Sequence, residues 1–178
     1  MDIQIKIKEI DLPEDSLIYH GLEETHYRDV FQAEVVSEQS LQVEEIAVLF
    51  FDVFPSWFRF LFKIRNIFAK LVGLDSVSGN KEDEEKLKRE RETGERVGLF
   101  NVIERTKEEI YMGENDKHLN FRASIFLKKK NDHYLISMAT IVHFNNWLGR
   151  AYFVPVKIVH RLVIPLLLKR AVRKALSP

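Results

Sequence analysis

Residues 145–178, NNWLGRAYFVPVKIVHRLVIPLLLKRAVRKALSP, hold the longest apolar helical pattern in the chain, and it comes last. A helix this apolar must be covered, so the preceding residues have to supply a face for it. Residues 162–168 are apolar on every side, while Arg150, Lys157 and Arg161 mark one exposed edge. Cover on all sides implies the two short helices predicted below, a partner subunit or a ligand. Pro165 removes a hydrogen bond to Arg161 and predicts a kink. Pro155 predicts either a second kink or the first turn, which leaves the helix start near Asn146 or at Pro155.

What precedes this helix reads mainly as strands. Ile3, Ile5 and Ile7 alternate with polar residues, so residues 1–26 supply an N-terminal strand or extended arm. Residues 27–36 follow period two, with Tyr27, Asp29, Phe31, Ala33 and Val35 on one face. From Leu41 the period turns helical through Val43, Ile46, Ala47, Phe50 and Phe54, with Ser40 as the expected N-cap. Pro55 ends that helix and opens a second over residues 55–72, with Gly73 beyond its end. Residues 75–97 form a charged loop built around KEDEEKLKRERE. Four β-rich runs follow, at 98–105, 108–113, 117–129 and 133–144. Their short separations predict an antiparallel meander.

The order is strand, two short helices, several antiparallel strands, long helix, all within a single domain over residues 1–178. Segregated strands and helices give an α+β layer fold. A twisted sheet with one apolar face, curved round the last helix, leaves a hollow suited to a small molecule.

The chain resembles a bacterial family of unknown function within the START and polyketide-cyclase-like (SRPBCC, birch-pollen-allergen-like) helix-grip superfamily. The resemblance rests on FPSWFRFLFKIRNIFAKLVGL at 54–74, GLFNVIER at 98–105, GENDKHLNFR at 113–122, NNWLGRAYF at 145–153 and HRLVIP at 160–165. It covers most of the chain from about Tyr27 onward and implies the helix-grip fold. Where the family's pattern would have aspartate, this chain has Asn120. Members of the superfamily bind lipids, hormones or polyketides, and a minority catalyse reactions on them, so fold alone does not choose among these.

Composition removes many chemistries. There is no cysteine, hence no thiol nucleophile, disulfide or cysteine-based zinc site. Six histidines are scattered without an HExxH pairing, and the seven glycines form no phosphate loop. No metal, cofactor or catalytic residue is assigned. The N-terminal MDIQIKIKEI lacks the apolar core of a signal peptide, which places the chain in the cytoplasm. Formal net charge is zero, yet no Asp or Glu follows Asp132, so the tail is basic. Lys157, His160, Arg161 and two prolines argue against a membrane span.

The expected function is binding of a small hydrophobic or amphipathic molecule between the sheet and the last helix. Trp57, Phe58, Tyr111 and Tyr152 are candidate lining residues, and Arg122, His143, Tyr152 and His160 are candidate polar contacts. His118, Asn120 and Arg122 share one strand face, which points to solvent, to a partner or into the hollow. A cyclase, dehydratase or isomerase using the same hollow is the alternative. A third reading is a peripheral membrane or protein-interaction module, through the basic tail and the 55–72 helix. A homodimer is compatible with all three. Nucleic acid is not an expected partner, because the tail lacks interleaved aromatics.

Overall fold

The computed structural model describes residues 5–53, 95–98 and 100–177. Its strands are β1 (Lys6–Glu9), β2 (Tyr27–Val36), β3 (Arg96–Val97), β4 (Phe100–Arg105), β5 (Glu109–Asn115), β6 (Leu119–Lys130) and β7 (His133–Phe144). Helix α1 spans Val43–Asp52, helix α2 spans Trp147–Ala175, and a 3-10 turn covers Leu17–His20. The strands form one curved antiparallel sheet in the order β1-β2-β7-β6-β5-β4-β3. With α2 laid across it, this is an α+β, helix-grip-like arrangement.

Period-two sequence dictates which face meets the helix. In β2, Tyr27, Asp29, Phe31, Ala33 and Val35 are all buried. Their register partners on β7 are Val142, Thr140, Met138, Ile136 and Tyr134. Phe121, Ala123, Ile125 and Leu127 continue these rows on β6. Against this face lie Ile164, Leu167, Leu168, Ala171 and Val172 of α2, with Val43, Ile46, Ala47 and Phe50 of α1. The opposite face carries Val30, Ala139, Ile141 and Tyr111, covered by Ile18 and neighbouring residues of the 10–22 segment.

Turns obey their local chemistry. A two-residue corner, Asn131-Asp132, joins β6 to β7, with Asn131 in the left-handed region (φ 57°), which asparagine tolerates. Between β4 and β5, the Thr106 hydroxyl accepts from the amides of Glu108 (3.2 Å) and Glu109 (2.8 Å). Gly98 has φ 63°, and a Cβ there would fall 2.5 Å from the Phe51 ring.

Several expectations change. Gln42, not Ser40, is the N-cap of α1; the Ser40 hydroxyl instead accepts from the Gln42 side chain (3.2 Å). Arg96–Val97, expected inside the charged loop, pair with β4 as a short edge strand. Helix α2 begins after Asn146 and runs through both Pro155 and Pro165. Residues 162–168 are not covered on every side: Leu162 is 65% and Leu166 58% exposed. The 55–72 helix, with Trp57 and Phe58, and most of the 75–97 loop lie outside the described residues.

The start of α2 is fixed by a close contact. A Cβ on Gly149 would lie 2.1 Å from the His118 carbonyl oxygen. Alanine there should therefore destabilise the fold by about 1–3 kcal/mol through overpacking, despite its better helix propensity. Urea unfolding of Gly149→Ala checks this, with Ala151→Gly as the propensity control.

Candidate functional site

Asp29 is an anomaly on the covered face of β2. It is 3% exposed, in a row where a carboxylate costs several kcal/mol unless partnered. Two donors meet it. The Tyr27 hydroxyl donates to Oδ2 at 2.6 Å. His160, reaching down from α2, brings Nδ1 to the same oxygen at 2.7 Å. A carboxylate there fixes the proton on Nδ1, so Nε2 of a neutral His160 is the basic nitrogen. Burial first, then the hydrogen bond to Asp29 and its charge, push the Tyr27 phenol well above its ordinary pKa. Tyr27 therefore stays a donor across the physiological range.

Asp29 Oδ1 and Thr140 Oγ1 are buried without a hydrogen-bond partner. The two residues are register partners on β2 and β7, and Ala123 extends the row onto β6. Small side chains thus occupy the row that contains the polar group. The flanking rows are bulkier, with Tyr27, Val142 and Phe121 on one side and Phe31, Met138 and Ile125 on the other. Phe153 of α2 packs with Tyr27 and Val142 at the outer end. The result is a polar spot in an apolar seam, where the sheet side chains stand shortest beneath the helix.

A second cluster joins the β5–β6 turn to the start of α2. The Asn146 Oδ1 accepts from the Gly149 amide at 3.2 Å as a side-chain N-cap. Its Nδ2 donates to the Lys117 carbonyl at 3.0 Å and lies 2.9 Å from His118 Nδ1. The Asn145 side-chain Nδ2 donates to the Asp116 carbonyl (2.6 Å) and to Asn120 Oδ1 (3.1 Å). These bonds join two of the segments, 113–122 and 145–153, that mark the family resemblance, and they do so as a structural joint. Asn120 serves through an acceptor oxygen, which aspartate would equally provide.

A third group, Glu24, His26 and His143, could in principle hold a metal ion. Its donors do not suit one. His26 Nδ1 accepts from the Phe144 amide at 3.1 Å, which leaves Nε2, the nitrogen turned toward Glu24, as the one an ion would have to meet. The Arg150 guanidinium lies 3.2 Å from that same Nε2, and a fixed cation there opposes a second one.

The expected site residues that are described lie on different sides of the sheet. Tyr111 and Arg122 stand on the sheet face away from α2. Tyr111 donates to the Gly21 carbonyl at 3.2 Å. Arg122 donates to the carbonyls of Glu114 (3.2 Å) and Phe121 (2.8 Å) and to Asn115 Oδ1 (2.8 Å). His143 shares that outward face and sits against Glu24. Tyr152 is half-buried on α2. His160 reaches the seam's polar group, while Trp57 and Phe58 lie outside the described residues. Sequence reading missed Asp29 as the partner of His160, and Thr140 as the register partner of Asp29. The available signal was a carboxylate within an otherwise apolar strand face.

One family model matches residues 22–167, a family described as "Protein of unknown function (DUF2867)". The chain belongs to the DUF2867 family. No curated protein and no solved structure matches it significantly. The match takes in Tyr27, Asp29, Thr140 and His160, together with the joint that starts α2.

Away from the seam, Glu109 on the outward face is 2% exposed. It accepts from the Leu17 amide at 2.7 Å and from the Ser124 hydroxyl. Burial raises its pKa above the usual carboxylate value, against the opposing effect of these bonds. A raised folded pKa means that protonation favours the fold. The stabilisation is full below the unfolded pKa near 4.5 and is lost as pH rises through the folded value. Denaturation of Glu109→Gln across pH 4 to 8 should show a flatter stability profile than the parent over that window.

Proposed function

We propose that this DUF2867 chain is a cytoplasmic domain that binds a small amphipathic molecule in the seam between the sheet and the first half of α2. The apolar part would lie over the Ala123–Thr140 row, among Phe121, Phe153 and Val142. The polar end would meet Asp29, Thr140 and His160. One observation carries this reading: on the register partners Asp29 and Thr140, the side-chain atoms Oδ1 and Oγ1 are buried without a hydrogen-bond partner. Buried groups of this kind are normally satisfied, and a ligand hydroxyl or amine fits both. Further support comes from the resemblance to the START and polyketide-cyclase-like superfamily, whose members bind such molecules.

Acid–base catalysis is the second reading, and the Asp29–His160 contact favours it. Asp29 would hold the imidazole in one tautomer, and Nε2 would take a proton from a carbon beside a carbonyl and return it elsewhere on the same molecule. The product is then an isomer, with atoms conserved.

Native mass spectrometry of the chain purified from its own host is expected to show a bound molecule of constant mass. Thr140→Val keeps side-chain shape and should lower retention about tenfold, the worth of one neutral hydrogen bond. Equal retention in Thr140→Val and His160→Gln at unchanged melting temperature would overturn the binding reading. Recovery of the extracted molecule as an isomer after incubation with the parent, and not with His160→Gln, would favour catalysis.

A further inference from the structure

Helix α2 has a second face that the seam does not use. Trp147, Val154, Ile158, Leu162 and Leu166 are 58–72% exposed. Their spacing of seven, four, four and four residues puts them on one stripe of the helix. Single exposed apolar residues are ordinary, but a contiguous stripe of large ones marks an interaction surface.

The charges around the stripe limit what can cover it. Arg150, Lys157 and Arg161 run along one side of it, and Lys169, Arg170 and Arg173 lie beyond its C-terminal end. Glu9 pairs with Arg161 at 2.5 Å and Asp52 with Lys174 at 2.5 Å. The helix itself contributes no carboxylate. A second copy would bring two cationic stripes face to face, which is unfavourable. A membrane span is consistent with the length and composition of α2, but its other face is already committed to the core through Ile164, Leu167, Leu168, Ala171 and Val172. An anionic bilayer meets both demands, since the apolar side chains enter the headgroup boundary and the flanking cations meet lipid phosphates.

We propose that the outer face of α2 docks on an anionic lipid bilayer, with the helix lying in the plane of the interface. The inference stands apart from the seam ligand and does not need it. A domain docked this way holds the seam on the side of α2 that faces away from the lipid.

Flotation of the full chain with vesicles tests it. Vesicles of phosphatidylcholine containing phosphatidylglycerol should carry the chain upward, and vesicles of phosphatidylcholine alone should carry much less. Ile158→Glu and Leu162→Glu are each expected to lower the bound fraction about tenfold. Lys169→Glu with Arg173→Glu should abolish the preference for the anionic vesicles. Ile103→Glu, on an exposed apolar residue of β4, should change nothing, and circular dichroism should match across the set. Absence of flotation, equal binding to both vesicle types or insensitivity to Ile158→Glu would overturn the proposal. Two other outcomes would also overturn it: a parent dimer that Leu162→Glu converts to monomer without any lipid binding, or resistance to alkaline carbonate extraction, the mark of a spanning helix.

Discussion

The rotation of α2 about its own axis is the constraint on which the rest of the molecule depends. It is set at the first turn, where Gly149 rests against the His118 carbonyl and Asn146 caps the helix while bonding the β5–β6 turn. With 3.6 residues per turn, every later side chain then has an assigned direction. Phe153, Ile164, Leu167, Leu168 and Ala171 fall inward and are buried, while Val154, Ile158, Leu162 and Leu166 fall outward. His160 lies on the inward side, about three turns beyond the joint, over Asp29. The candidate site and the candidate membrane face are opposite consequences of one local contact.

A buried carboxylate is tolerated in this seam because its partners come from two directions. Tyr27 belongs to the same strand, two residues away, and period two puts it on the same face. His160 comes from the far end of the chain and arrives only when the helix is seated. Removing either leaves Asp29 short of a donor in a region that water reaches poorly, where an unsatisfied group costs about 1–3 kcal/mol. The remaining unpartnered atoms, Asp29 Oδ1 and Thr140 Oγ1, sit on adjacent strands in the row with the smallest side chains. Polar atoms and short side chains therefore share one row of the sheet.

The sequence patterns most suggestive of a binding motif turn out to be architectural. His118, Asn120, Asn145 and Asn146 tie a turn to a helix start, and Arg122 serves backbone carbonyls and Asn115 on the outward face. Their concentration of polar side chains follows from exposed backbone groups at a β-turn meeting a helix N-terminus. Asn120 in place of an aspartate fits that role, because the joint asks it for an acceptor oxygen and not for charge.

Much of the fold was legible in the chain alone. Tyr27–Val36 and His133–Phe144 were readable to their ends, because period two begins and stops sharply there and Asn131-Asp132 marks the corner. The inward row of β2 was readable with it, including Asp29. Tertiary structure decided what local pattern leaves open. Asn146 and Pro155 are both sound helix starts on local grounds, and only the contact of Gly149 with His118 selects the first. Arg122 and Tyr111 look like pocket residues by type, yet strand register places them on the face away from the helix. The Asp29–His160 contact spans 131 positions of sequence. No periodicity reaches so far, so that pair exists only because the sheet curves and the helix lies across it in one rotation. The sequence by itself determined where the strands and the long helix run, and three-dimensional closure decided which of their apolar faces are covered and which distant residues meet.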